Sequence, residues 1–205
     1  MAALQIKNIP TGAGDDIKMD ASWAKGDTKN VISTSNASPS FSMFSGTGRV
    51  GAYQSVGFGP TTDGMFLPAL FGGDGLIKLT TSYGFRGAFN HNWDPYWSSS
   101  LFGAYASVRN DSRAKAYFCA IYTAGKVVSA DYSCNPDYNV SELGFVTRWT
   151  PIQNLTFSAE TIWAHLDQKF TGAALLAPSA PKPATIYEFK DQNTFTLNVR
   201  VQRNF

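Results

Sequence analysis

No run of apolar residues in this 205-residue chain exceeds a few positions, and the mean hydropathy is -0.17. A transmembrane helix needs about 20 such residues, so none is encoded. Charge is also scarce, at 16% of residues against roughly 25% in ordinary soluble domains. The net charge is only +2, with the basic residues scattered, which argues against a nucleic-acid partner. His91 and His165 are the only histidines, and neither stands in a metal-ligand spacing such as His-x-Glu or Cys-x-x-Cys. No Gly-x-Ser-x-Gly elbow occurs either. The chain offers no catalytic residues, no metal site and no cofactor motif. No segment of ten or more residues shows helical periodicity, so an all-β chain is expected.

What the sequence does carry is alternation. From 194 to 202, Phe195, Leu197, Val199 and Val201 point one way, and Thr194, Thr196, Asn198, Arg200 and Gln202 the other. A period of two over nine residues is a strand with two unlike faces. A transmembrane strand takes about 9–11 tilted residues, and its apolar and polar faces together give middling hydropathy. The same pattern recurs at Leu79, Thr81, Tyr83, Phe85 and Phe89 against Thr80, Ser82, Gly84, Arg86 and Asn90. Leu143, Phe145 and Trp149 oppose Glu142, Gly144, Arg148 and Thr150; Leu155, Phe157, Ala159 and Trp163 oppose Thr156, Ser158 and Glu160. Near the start, Ile17, Met19, Ala21 and Trp23 oppose Asp16, Lys18, Asp20 and Ser22, preceded by Leu4 and Ile6 against Gln5 and Lys7. Residues 98–108 read as a strand whose small residues leave its facing open, and 48–58 as a weaker one.

Connections alternate in length. Pro10–Asp15, Asn92–Tyr96 and Pro151–Gln153 are short turns of Pro, Gly, Asn and Asp. The stretches at about 26–76, 110–137 and 167–190 are long. Short turns on one rim and long loops on the other are the habit of outer-membrane barrels. Trp93, Trp97, Trp149 and Trp163 are placed near strand ends, where aromatic girdles meet a membrane interface.

Phe89-Asn-His-Asn-Trp-Asp-Pro-Tyr-Trp-Ser-Ser-Ser-Leu-Phe-Gly-Ala-Tyr105 resembles the porins of rhizobial and related alphaproteobacterial outer membranes. So do Cys134-Asn-Pro-Asp-Tyr138, Arg148-Trp-Thr-Pro151, the closing Val199-Arg-Val-Gln-Arg-Asn-Phe205, and Asn8 to Asp16 near the start. The resemblance implies a 16-stranded antiparallel transmembrane β-barrel, a homotrimer in outer-membrane lipid, passing ions and small hydrophilic solutes by passive diffusion. It also implies extracellular long loops and an aromatic end, Phe205, read by the assembly machinery.

The chain is about half the length that the resemblance leads one to expect, and Met1-Ala-Ala-Leu4 leads straight into a strand with no signal-like segment. Alternating the strand direction back from the end gives seven strands, or nine if 26–76 holds two. Either number is odd, whereas a single-chain bacterial barrel has an even count. The expectation is therefore one segment, 1–205, forming an open partial barrel of about 7–9 strands, the carboxy-terminal half of a porin. Its polar face supplies the expected pore lining: Lys18, Asp20, Arg86, Arg148, Glu160 and Arg200. The arginines among them point to a basic wall, and the resemblance puts an inward-folded acidic loop in the other half. Cys119 and Cys134 fall in one exported loop, where an even count in an oxidising compartment reads as a disulfide, with two free thiols as the alternative. Two rivals remain at this stage. One is an enzyme, since some outer-membrane barrels are hydrolases; the other is a soluble or surface binding barrel, a lipocalin-like cup with an apolar interior.

Overall fold

The computed structural model describes residues 1–32 and 40–204; Phe205, the expected assembly signal, lies outside the described residues. In chain order the strands are β1 (Ala2–Lys7), β2 (Asp16–Lys25), β3 (Ser40–Ser45), β4 (Gln54–Pro60), β5 (Gly64–Phe66), β6 (Ile77–Leu79), β7 (Thr81–Asp94) and β8 (Trp97–Arg109). After α1 (Ser112–Thr123) come β9 (Tyr138–Ile152), β10 (Leu155–Gln168), β11 (Ala173–Leu176), β12 (Thr185–Phe189) and β13 (Gln192–Arg203).

Seven of these strands form one antiparallel sheet in the order β1-β2-β7-β8-β9-β10-β13, which is open, with β1 and β13 at its edges. Every strand whose alternation is legible in the sequence joins it. The stretch 26–76 contributes none of them: β3 and β4 pair with each other and belong to a four-stranded sheet, β11-β12-β4-β3, and β5 pairs with β6. Of the two counts left open by the sequence, the main sheet has the lower.

The three tight connections fall on one rim. Asn154 closes the β9–β10 hairpin at φ 67, a left-handed conformation that a short polar side chain tolerates. In the β7–β8 turn the Asp94 carboxylate accepts from the backbone N–H groups of Tyr96 (2.7 Å) and Trp97 (2.9 Å). The β1–β2 turn is held by Asp15, described below. On this rim Trp97 and Trp149 are directly opposed with ring centroids 6.4 Å apart, and Trp149 lies 5.6 Å from Phe157. Trp163 departs from the expected girdle, because it sits inside β10, opposite Leu143 and Phe195.

The opposite rim carries a folded cap where the sequence reads as loops. The four-stranded sheet and α1 enclose Val56, Phe170, Ala174, Tyr187 and Phe189, with Phe58, Phe118 and Tyr122 against them. The fold is all-β as expected apart from α1, which corrects the expectation that no segment of ten or more residues is helical. Asp111 caps it by accepting from the Arg113 N–H at 2.9 Å, and Ala114, Phe118 and Tyr122 at four-residue spacing face inward. A disulfide joins Cys119 on α1 to Cys134, with Cα atoms 5.7 Å apart. An Arg49–Asp131 pair, bidentate at 2.8 and 2.6 Å, ties the β3–β4 connection to the same loop.

Candidate functional site: the polar face of the seven-stranded sheet

Register decides which residues share a face. Asp20 is paired with Arg86, Arg86 with Ala104, Ala104 with Glu142 and Glu142 with Ala164. Lys18 faces Ala88, and Ser158 lies between Arg148 and Arg200, next to Glu160 beside Asn198. Lys18, Asp20, Arg86, Arg148, Glu160 and Arg200 therefore all lie on one face, as the alternation places them. The register also settles β8, whose Ser98, Ser100, Phe102 and Ala104 join that face.

The other face is apolar and bare. Leu4, Met19, Trp23, Phe85, Leu101, Leu143, Phe145, Phe157, Phe195, Leu197 and Val199 are all exposed, Val199 to 75%. An uncovered apolar surface spanning seven strands far exceeds what a soluble monomer tolerates. This facing is the reverse of the lipocalin-like cup, which would turn its apolar side inward.

The charges on the polar face are differently engaged. Arg86 donates through Nε to both Asp20 oxygens (2.9 and 3.1 Å) and sets a second nitrogen 2.9 Å from Oδ1. Arg148 donates to the Ser100 hydroxyl at 2.8 Å, and Asn198 donates to Glu160 at 3.1 Å. Lys18 lies 3.3 Å from Asp16, which accepts from Gln5 and Asn90, each at 2.5 Å. Arg200 and Glu142 make no side-chain hydrogen bond or ion pair with another described residue. The expected pore lining omits Lys7, Asp16 and Glu142, although the alternation puts all three on this face. With them the face carries five cations and four carboxylates, so the expected basic wall is nearly neutral in sum. Between β1 and β9 these side chains border a trough of about 580 Å³ lined by Gln5, Lys18, Asp20, Arg86, Phe102 and Glu142.

Toward the long-loop rim the same face turns apolar and is covered. Ala106, Val108, Tyr138 and Leu166, on the polar-face register, bury themselves against Val31 and Ile32, with Phe41 and Met43 of β3 alongside. Part of the 26–76 stretch thus folds onto the polar face of this very sheet. The sequence reading put an inward-folded loop in a missing half; the alternation at 48–58 was too faint to disclose this one. A Cβ at Gly57 would stand 2.5 Å from Gln192 Cγ and 2.7 Å from Leu166 Cδ2, so β4 approaches the wall more closely than any side chain permits.

At the short-turn rim, Asp15 is fully buried and accepts from Thr11 Oγ1 (2.6 Å), His91 Nδ1 (2.6 Å) and the Asn92 N–H (2.8 Å). A carboxylate only accepts, so His91 carries its proton on Nδ1. Burial pushes the Asp15 carboxyl up, but these hydrogen bonds and the imidazole outweigh it and hold the pKa at about 2. His91, absent from any metal motif, thus staples two neighbouring turns. Among the described residues no group of three or more His, Cys, Asp or Glu side chains is placed to hold a metal ion.

No curated protein and no solved structure matches the chain. A family model, described as the Porin subfamily, matches residues 1–198, nearly the whole chain. That family consists of outer-membrane channels rather than enzymes. With its two-faced antiparallel sheet and its match along almost the full length, the chain belongs to the porin subfamily.

Proposed function

We propose that the protein forms a water-filled channel of the Gram-negative outer membrane, through which ions and small hydrophilic solutes diffuse passively. The observation that carries this reading is the division of the seven-stranded sheet into an exposed apolar face and a charged one. The apolar face meets lipid, and Lys18, Asp20, Arg86, Arg148, Glu160 and Arg200 line the lumen, where their charges set the local potential. Residues 1–205 act as one barrel segment, the carboxy-terminal part of a 16-stranded porin of the rhizobial type that works as a homotrimer. The open edges at β1 and β13 support completion by further strands, because unpaired edges in hydrocarbon leave backbone groups without partners. The cap with its disulfide is extracellular, the short turns are periplasmic, and Phe205 serves in assembly.

Planar-bilayer recording of the intact porin tests the reading. Stepwise ohmic conductance, with the Arg200→Glu variant shifted toward cations, is the expected result. Absence of conductance from protein shown to be folded in the membrane would overturn it.

A further inference from the structure

The cap contains a second cavity, unrelated to the polar face of the sheet. It measures about 280 Å³, and its walls include Phe58 and Tyr122, stacked at 5.8 Å, and Phe44 and Tyr187, edge-to-face at 5.9 Å. Lys126 and Lys182 are among its lining residues. Lys126 Nζ lies 4.1 Å from the centre of the Tyr122 ring, and Lys182 Nζ lies 4.9 Å from that of Phe44. Neither lysine is in an ion pair with a described residue. Lys182 donates to Gln54 Oε1 at 2.5 Å and Lys126 to the Tyr122 carbonyl, which leaves each ammonium with donors to spare. The lip of the cavity, at Phe44 and Ala177, is exposed.

We infer that this cavity is a binding site for a small aromatic carboxylate, the ring held between the aromatic walls and the carboxylate taken by Lys126 and Lys182. The chemistry argues for that occupant on three counts. Two cations line the cavity and no acidic side chain does, so an anion completes the charge balance. Aromatic rings from the four-stranded sheet (Phe44, Phe58 and Tyr187) and from α1 (Tyr122) line it, which favours a flat apolar body over a hydrated inorganic anion. The volume lies below the range of about 300–1,000 Å³ common for drug-sized ligands, which fits a single ring. The cysteine bridge at Cys119 and Cys134 anchors the helix that carries Tyr122, and so pre-forms one wall. The site does not depend on the channel reading.

Ligand-observed NMR on the detergent-folded protein at neutral pH, with benzoate, benzamide and phosphate as probes, tests it. Benzoate is expected to bind, with benzamide and phosphate each at least about tenfold weaker, the loss associated with one charge-assisted contact or with the ring. In the Lys126→Met/Lys182→Met variant benzoate is expected to weaken by at least about tenfold, while Lys7→Met on β1 leaves it unchanged. Benzamide binding as well as benzoate would identify a merely apolar pocket, and phosphate binding as well would identify a simple anion site; either overturns the proposal. So does benzoate binding that survives the double replacement. If that variant fails to fold, the three-probe comparison on the unaltered protein decides alone.

Discussion

Arg86 on β7 grips Asp20 on β2 through both carboxylate oxygens, directly across the strand seam, in the middle of the polar face. The pair cancels two charges that the sequence presents as separate contributors to the lumen. Arg200, with no described partner, and Arg148, held only by a serine hydroxyl, are then the cations whose fields are least compensated.

A graded set of selectivity changes is expected in the intact porin. Asp20→Asn strips Arg86 of its counter-charge and shifts reversal potentials toward anions. Arg200→Glu shifts them toward cations, and by more than Arg86→Gln, which removes a charge already balanced. The pair is half exposed, so its loss costs stability no more than about 1 kcal/mol. Each effect should shrink as salt rises, since the screening length falls from about 30 Å at 0.01 M to about 3 Å at 1 M. Salt-independent shifts, or none at low salt, would remove these residues from the lining.

Replacing Gly57 by Val should dislodge the segment folded onto the wall. The added carbons meet Gln192 and Leu166, both buried, and overpacking of this kind costs typically about 1–3 kcal/mol. The strain falls between β4 and the sheet, not within the seven-strand ladder. Limited proteolysis should cut faster between residues 40 and 60 while the strand content by circular dichroism holds. Equal loss of both would mean that segment and sheet fold as one unit.

Much of the sheet was legible because its strands alternate apolar and polar residues with little interruption, and a register slip of one residue would put Phe195 on the charged face and Arg200 on the apolar one. The cap was not. β3 carries Phe41 and Met43 on its sheet side and Phe44 on the other, so two-sided packing erases its alternation, while β4 meets the sheet through Gly57, whose lack of a side chain weakens the pattern. The α1 helix does leave a trace in the sequence, an Asp111 cap with Ala114, Phe118 and Tyr122 at four-residue spacing, within a stretch whose polar ends read as loop. On the polar face the named charges were visible one by one, but their pairing was not: Asp20 meets Arg86 through strand register, which no spacing within the chain encodes.

The Asp15 turn should respond to acid in a defined window. Its carboxyl is held at about 2 against an ordinary 3.8, so the native state favours the ionised form. A depressed carboxylate adds stability that is whole above the ordinary value and is lost as pH falls through the lowered one. Asp15→Asn should therefore lower thermal stability at neutral pH. The gap to the unaltered protein should close between about pH 4 and pH 2. A gap that stays constant down to pH 2 would show that the side chain acts by shape rather than charge.

Breaking the Cys119–Cys134 bridge should loosen the cap and spare the sheet. The bond closes a loop of 15 residues, for which the loss of unfolded-state entropy amounts to about 3 kcal/mol. That constraint acts on α1 and on the chain up to Cys134, while Lys115 still holds Asp137 at 2.6 Å and Arg49 still holds Asp131. These ion pairs limit how far the loop departs, so the bridge matters for local opening more than for global unfolding. In a Cys119→Ser/Cys134→Ser variant, amide hydrogen exchange should accelerate by about tenfold or more over residues 112–134, the equivalent of at least about 1.4 kcal/mol in local opening. Exchange in β8 and β9, whose amides are engaged by strands on both sides, should stay unchanged. Acceleration spread evenly over cap and sheet would mean that the bridge supports the whole sheet, and unaltered exchange in the cap would mean that packing around Phe170 already suffices to hold it.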